Sequence, residues 1–532
     1  MFTALPTPSQ EDYSLETKPN EQNLHESASL PDSDTADTNS GSFLSRLTLW
    51  PLLGIGTVLV LLLAGLGYFS FFCNNEITTR QKITTQTATN TQQKTINMIG
   101  HWKGEDKRED YMLEIIREFE ARHPDIKVNL QWNVDFPGGR AEALQAVIDQ
   151  IKSGDIKWDV IWIEPFNYSD VAEGVSDPNW AKNHLVDFET VPGFKETQKP
   201  FVLSDPQFRN HMNGTITGPF IEGFYQPFFY NKELTDLMGI KIKEQGMTDA
   251  DLIGYLKAIQ AYNKQHGTQY GAFYDNGSEK GATVGYGNAT FNLFQGLFRS
   301  EISDLTELKK LELTPTKRAA LRKTLATLEN MSQYEPLVAE YETLEWVPTR
   351  NYPLDNKTVF YSGGASWMYS HWRGIDKDKT MKMVPVEMPM YQPVTHYMGG
   401  YNPMFAVMKN SPVKDEAVSL LMEYSTPNNA EKWIRYAKGP SGIKGNLSES
   451  GDSSQQADQF DKYISYISNK YGGNVYDSKT VDYILGEKYE KMTRDFRQYL
   501  VAVLDGKMTA DQAYNRIVAD MKAIDNETSG EE

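Results

Sequence analysis

Cysteine is nearly absent: Cys73 is the only one in 532 residues. A single thiol forms no intramolecular disulfide and builds no cysteine-based zinc site. Histidine is sparse as well. The eight histidines are scattered, with no His-Glu-x-x-His helix and no tight His/Asp cluster, so a metal site is not expected. Basic charge is in short supply, since 53 Lys and Arg against 71 Asp and Glu leave a net charge of -18. Nucleic acid demands a basic face for its phosphates, and that class of partner is set aside. Nucleotide loops are missing too: GPSGIKG at 439–445 lacks the Lys-Ser order, and the glycines at 281, 285 and 287 make no dinucleotide fingerprint. No Gly-x-Ser-x-Gly elbow occurs, and one cysteine beside an apolar run leaves no thiol chemistry. The expectation is no cofactor, no metal and no catalytic residue. Paired carboxylates stay open, because acids are abundant and their spacing in three dimensions is not written in a sequence.

What is present first is one long apolar run. Leu47 to Asn75 carry no charge, and WPLLGIGTVLVLLLAGLGYFSFF within them exceeds the roughly 20 residues that cross a bilayer. A secretory signal has a shorter apolar core nearer the N-terminus. Residues 47–74 therefore read as an uncleaved signal anchor. Cys73 follows Ser70, Phe71 and Phe72, where a lipidation motif carries small residues. Arg46 on one side and Arg80 and Lys82 on the other give no direction by the positive-inside rule. Residues 1–46, rich in Ser, Thr, Asp, Glu and Pro, read as a disordered acidic tail. Residues 75–94 read as a flexible stalk, and 526–532 as a disordered end.

The rest alternates strand and helix. Thr95–Gly100 is a strand candidate. EDYMLEIIREFEARHP carries Met112, Ile115, Ile116 and Phe119 at one-sided helical spacing, and His123-Pro124 ends it. IKVNLQW alternates as a strand. Leu144, Val147, Ile148 and Ile151 repeat the helical stripe, with Gly154 as C-cap. Then comes WDVIWI. This β-α-β-α-β order is the signature of a covered parallel sheet. Ligands of such sheets sit beyond the carboxyl ends of the strands. His101 and Trp102, Asn133, and Glu164 stand just past three consecutive strand exits, and together they favour a cleft.

Further along, Phe228–Tyr230 form an aromatic strand. DADLIGYLKAIQAYNKQHG is a helix with Leu252, Leu256 and Ile259 inward, stopped by Gly267. Residues 301–345 read as an inserted helical hairpin. VFYSGGASWMYSHWRGID reads as strand, turn and helix. KDEAVSLLMEYS places Ala417, Leu420, Leu421 and Tyr424 on one face, and Thr509 with Gln512 opens the last helix as a capping box.

The order of these segments resembles the family 1 extracellular solute-binding proteins, the maltose-binding-protein-like components of carbohydrate ABC importers. The resemblance rests on HWKGEDKREDYMLEIIREFEARHPDIKVNLQW, WDVIWIEP, FFYNKEL, SGGASWMYSHWRGID, and VPVEMPMY followed by GGYNPMFAVMKNSPVKDEAVSLLMEYSTP, over about Thr95 to Lys522. It implies an α/β, two-lobed periplasmic-binding-protein-like fold (type II), here preceded by a single transmembrane helix. It places lobe 1 at 95–221 and 390–450 and lobe 2 at 222–389 and 451–525, with crossings near 218–224, 385–392 and 445–455. Carried over residue by residue, it offers Trp372 for stacking on a sugar ring. Trp102, Glu105 and Asp106 fall in the first-strand loop, and Glu164 in the position that hydrogen-bonds sugar hydroxyls. Glu222 and Tyr225 fall at the crossover, and Tyr401 and Asn402 in the returning loop.

The function implied is not enzymatic. A membrane-tethered substrate-binding subunit would capture a small neutral solute, a mono- or oligosaccharide, and present it to ABC permease subunits. The body would lie on the extracytoplasmic side of the cell membrane, held by a single pass. Aromatic rings suit the C–H face of a pyranose; carboxylates and amides suit its hydroxyls, whose burial unpaired costs about 1–3 kcal/mol. Two alternatives stand beside it: a sensory receptor using the same cleft, and a carboxylate-dependent carbohydrate-active enzyme.

Overall fold

The computed structural model describes residues 93–164, 167–208, 214–275, 288–344, 350–445, 458–476 and 481–529. The expected tail, signal anchor and nearly all of the stalk lie outside these residues, as does most of the expected 445–455 crossing. Among the described residues no helix is long and apolar enough to cross a membrane.

The first sheet is β1 (Lys94–Gly100), β2 (Ile126–Trp132), β3 (Val160–Trp162) and β9 (Phe405–Val407), in the order β2-β1-β3-β9. β1 runs parallel to β2 and β3, and β9 returns antiparallel to β3. A second sheet, β6-β5-β7, is built from β5 (Phe228–Asn231), β6 (Phe360–Tyr361) and β7 (Met383–Val386). These two sheets are the centres of two lobes. A third sheet joins them: β4 (Glu222–Tyr225) pairs with β8 (Tyr397–Asn402), which pairs with β10 (Val475–Tyr476). Only Gln226 and Pro227 separate β4 from β5, and only Pro403 and Met404 separate β8 from β9. The chain therefore passes from one lobe to the other at those dipeptides. A third stretch lies against this junction: a Cβ on Gly223 would meet the Pro440 carbonyl oxygen at 2.4 Å. No side chain larger than hydrogen fits there.

The helices follow the apolar stripes. In α1 (Asp106–Arg122), Met112, Ile115 and Phe119 are fully buried and Ile116 nearly so. Each such side chain contributes about 1.5–3 kcal/mol by leaving water. In α2 (Gly139–Ser153) the stripe shifts by one position: Ala143 is buried with Val147, Ile148 and Ile151, while Leu144 packs at the edge. Gly154 caps α2 in the left-handed region at φ 73, its N–H bonded to Gln150. Gly267 does the same for α3 (Asp249–His266), which buries Leu252, Leu256 and Ile259.

The second lobe continues through α4 (Asn288–Glu301) and α5 (Pro315–Ser332). The stretch 301–345 is not a projecting hairpin. Its one long helix, α5, buries Ala320, Leu321, Leu325, Leu328 and Met331 against neighbouring helices. Those neighbours are α4 and, at the far end of the chain, the helices Thr493–Leu504 and Ala510–Ser529. The stripe on α5 is thus core, not an exposed face. After β6 comes α6 (Met368–Ile375). Then α7 (Lys414–Tyr424) packs on β9 and α1, α8 (Pro427–Ala437) packs on α1, and α9 (Gln459–Tyr471) opens the final run. α10 (Thr493–Leu504) and α11 (Ala510–Ser529) close the chain. The Thr509–Gln512 box is made, with Thr509 N–H donating to Gln512 at 2.9 Å and Gln512 N–H to Thr509 Oγ1 at 3.2 Å. α11 runs past residue 526 as far as Ser529, so the ordered body extends beyond its expected end.

Candidate functional site

The loop leaving the carboxyl end of β1 carries most of the polar groups. His101 is buried, stacked on Trp162 with ring centres 5.2 Å apart. The amide Nδ2 of Asn133, just past β2, meets His101 Nδ1 at 2.9 Å. An amide nitrogen only donates, so Nδ1 accepts and the ring proton sits on Nε2. Nε2 faces Glu164, past β3, with Oε1 at 3.6 Å. That is longer than a hydrogen bond. Burial, then the charges of Arg140 and Arg108, push His101 well below the usual imidazole range, against the opposing Asn133 bond. The imidazole is therefore neutral near pH 7. Three strand exits thus converge on one cluster of His101, Asn133 and Glu164, with Trp162 as its apolar wall. Of the two indoles in WDVIWIEP, Trp158 packs instead on Phe136, ring centres 5.6 Å apart.

Arg108, from the first turn of α1, ties this loop to the junction sheet. It is 3% exposed. Its Nη1 donates to Glu105 at 2.7 Å and its Nη2 to Glu222 at 2.5 Å. Its guanidinium lies 4.9 Å from the Trp102 ring centre and 5.3 Å from that of Trp433. Two carboxylates and two indoles around one cation is a charge-assisted, cation–π arrangement. Trp102 is correspondingly committed. It is buried between Phe405, Trp433 and Arg108, at an unusual positive φ of 75.

The junction sheet brings together four of the expected residues. β4 and β8 place Glu222 opposite Asn402 and Gly223 opposite Tyr401. Tyr225 is fully buried, its hydroxyl 3.1 Å from Ser468 Oγ. Tyr401 is buried edge-on against Phe201 and Phe208. Both rings are core of the junction.

Trp372 stands apart from all of these. It is fully buried in the second lobe, packed edge-on by Phe229 and Tyr361, and its Nε1 donates to the Arg350 carbonyl at 2.8 Å. The reason is register. β6 ends at Tyr361, so the first tryptophan beyond that strand is Trp367, which is only partly buried and begins α6. Trp367 was legible in the quoted segment, but the end of the strand was not. Arg108 has one local partner, Glu105, but its tie to Glu222 spans 114 positions, and Arg373, whose Nε donates to Asp106 Oδ2 at 2.8 Å, has its partner 267 positions away. Near Trp372, burial and then Arg350 push His371 down to about 3. Among the described residues no group of three or more His, Cys, Asp or Glu is placed to hold a metal ion.

The comparisons agree with this architecture. The family profile for the bacterial extracellular solute-binding proteins matches residues 105–444, more than half of the chain. Among solved structures, a chitin oligosaccharide binding protein superposes with TM-score 0.56 at 15% identity, covering 81% of this chain and 98% of that one. The GacH receptor of Streptomyces glaucescens GLA.O, studied unliganded and with acarbose, gives TM-score 0.56 at 14% identity, covering 81% and 98%. The solute-binding protein RafE in complex with raffinose gives 0.50 at 15% identity, covering 77% and 97%. At these identities the likeness speaks to fold alone. No curated protein sequence matches the chain. A profile match over residues 105–444, most of the two-lobed body, settles the family: the chain belongs to the bacterial extracellular solute-binding proteins.

Proposed function

We propose that this chain is the substrate-binding subunit of an ABC importer and that it captures a mono- or oligosaccharide between its lobes. The observation that carries the reading is the convergence of His101, Asn133 and Glu164 at three strand exits beside the Trp162 ring. Neutral donors and acceptors beside a carboxylate suit hydroxyls, and an aromatic wall suits the C–H face of a sugar. The solved neighbours that bind chitin oligosaccharide, acarbose and raffinose support the same chemistry. In this reading Glu164 accepts from solute hydroxyls, and the buried Asn133 fixes the His101 ring beside it. Trp367, rather than Trp372, supplies the stacking ring from the second lobe. Glu105, Glu222 and Asn402 set the hinge side of the cleft, and Trp102, Tyr225 and Tyr401 hold it in shape. Hinge closure then presents a filled cleft to the permease. The 47–74 run tethers the body to the cell membrane on its extracytoplasmic side.

The test is a thermal-shift screen against sugars, amino acids, polyamines and metal ions. A bound solute raises the melting point by mass action. The reading expects the shifts among mono- or oligosaccharides. Shifts confined to amino acids, polyamines or metals reject the sugar class.

A further inference from the structure

The two lobes also touch one another directly. α6, from the second lobe, packs on α1, from the first. Gly374 in α6 lies so close to Gly104 that a Cβ on it would stand 2.6 Å from the Gly104 carbonyl oxygen. Beside it, Arg373 Nε donates to Asp106 Oδ2 at 2.8 Å, with side chains only 22% and 17% exposed. The loop they grip is held in a costly shape. Trp102 sits at φ 75, Gly104 at φ 78 and Asp106 at φ 20, and positive φ is unfavourable for residues other than glycine. Such strain persists only where the surroundings over-determine it. Part of the fastening is local, since Glu109 accepts the Gly104 N–H at 2.6 Å. Arg108 on Glu105 and the packing of Trp102 add to it, and Gly374 and Arg373 add a grip from the opposite lobe.

We propose that the Asp106–Arg373 pair, seated by the Gly104–Gly374 contact, is a latch that holds the lobes shut with no solute between them. Opening the cleft must break the pair and release the loop. Because the latch is compatible with both empty and filled closed states, it raises the closed population before any solute arrives. A solute that completes the closed form then binds more tightly by the factor through which the latch favours closure.

The experiment measures the distance between lobes in the full-length chain. Cys73→Ser removes the native thiol, and Lys152→Cys on α2 with Lys257→Cys on α3 place spin labels at exposed positions, one on each lobe. Electron–electron resonance on dialysed protein, with no solute added, reads the distance distribution. The parent gives one short distance. Arg373→Ala, or Arg373→Gln should the alanine variant fail to melt cooperatively, adds a longer population. The charge-swapped Asp106→Arg/Arg373→Asp chain returns the short one. A parent already dominated by the long distance overturns the latch, as does an Arg373 variant with the parent's distribution. A swap that stays long assigns closure to something other than the charge pair and overturns it as well. No solute enters the measurement, so its outcome is separate from the sugar reading.

Discussion

Arg108 Nη2 donates to Glu222 Oε1 at 2.5 Å across 114 positions of sequence, in a buried setting. One guanidinium thereby joins the first helix of one lobe to the strand that leaves for the other. It also pairs with two carboxylates, Glu105 and Glu222, that read in isolation as hydroxyl acceptors.

Arg108→Ala takes the shared cation away from both sheltered carboxylates. Breaking a buried pair from one side costs about 3–5 kcal/mol. Urea unfolding should show that loss, and Arg108→Ala/Glu222→Gln should recover part of it, because the second change removes one buried negative charge.

The two tryptophans flanking α6 should separate stability from binding. Trp372→Ala empties a packed site between Phe229 and Tyr361 and should cost about 3–5 kcal/mol. Trp367→Ala, at a partly exposed position, should cost about 1 kcal/mol or less. Denaturant melts of both variants check the order, and a reversed order places the accessible ring at 372.

Acid should weaken the fold through buried histidines. Burial, helped by neighbouring arginines, holds His101 well below its ordinary value, His371 down to about 3 and His396 down to about 4. In the unfolded chain an imidazole titrates near about 6.5. Across the window between those values the unfolded chain binds protons that the folded chain does not, so stability falls as pH falls. Melting temperatures should drop from about pH 7 to about pH 4, and His371→Gln should flatten part of that slope. An unchanged slope in the variant assigns the acid loss to other groups.

Much of the scaffold was legible because helical periodicity names a face. Met112, Ile115, Ile116 and Phe119 are all buried, as are Ala417, Leu420, Leu421 and Tyr424. The caps at Gly154 and Gly267 followed from the left-handed conformation that glycine tolerates. The stripe in 301–345 was visible, but not what covers it, since α11 packs on α5 from the far end of the chain. Site residues were harder. A sequence shows that Trp102, Glu105, Glu222 and Asp106 suit a sugar, but not that cations occupy three of those acids. Arg108 lies 114 positions from Glu222, and Arg373 lies 267 from Asp106. The choice between Trp367 and Trp372 turned on where β6 stops, a boundary that Gly363 and Gly364 blur. That His101, Asn133 and Glu164 come together was legible because strand exits in a parallel sheet share one edge, a rule of topology that needs no coordinates.

The most direct test of the central claim is calorimetric titration of the saccharide that gives the largest melting shift. The account predicts binding of one saccharide per chain, recovered chemically unchanged. It also predicts affinity reduced about tenfold or more, roughly 1.4 kcal/mol, in both Glu164→Gln and Trp367→Ala, with their melting points near the parent's. Parent-like affinity in both variants, or a cleaved saccharide in the cell, contradicts it.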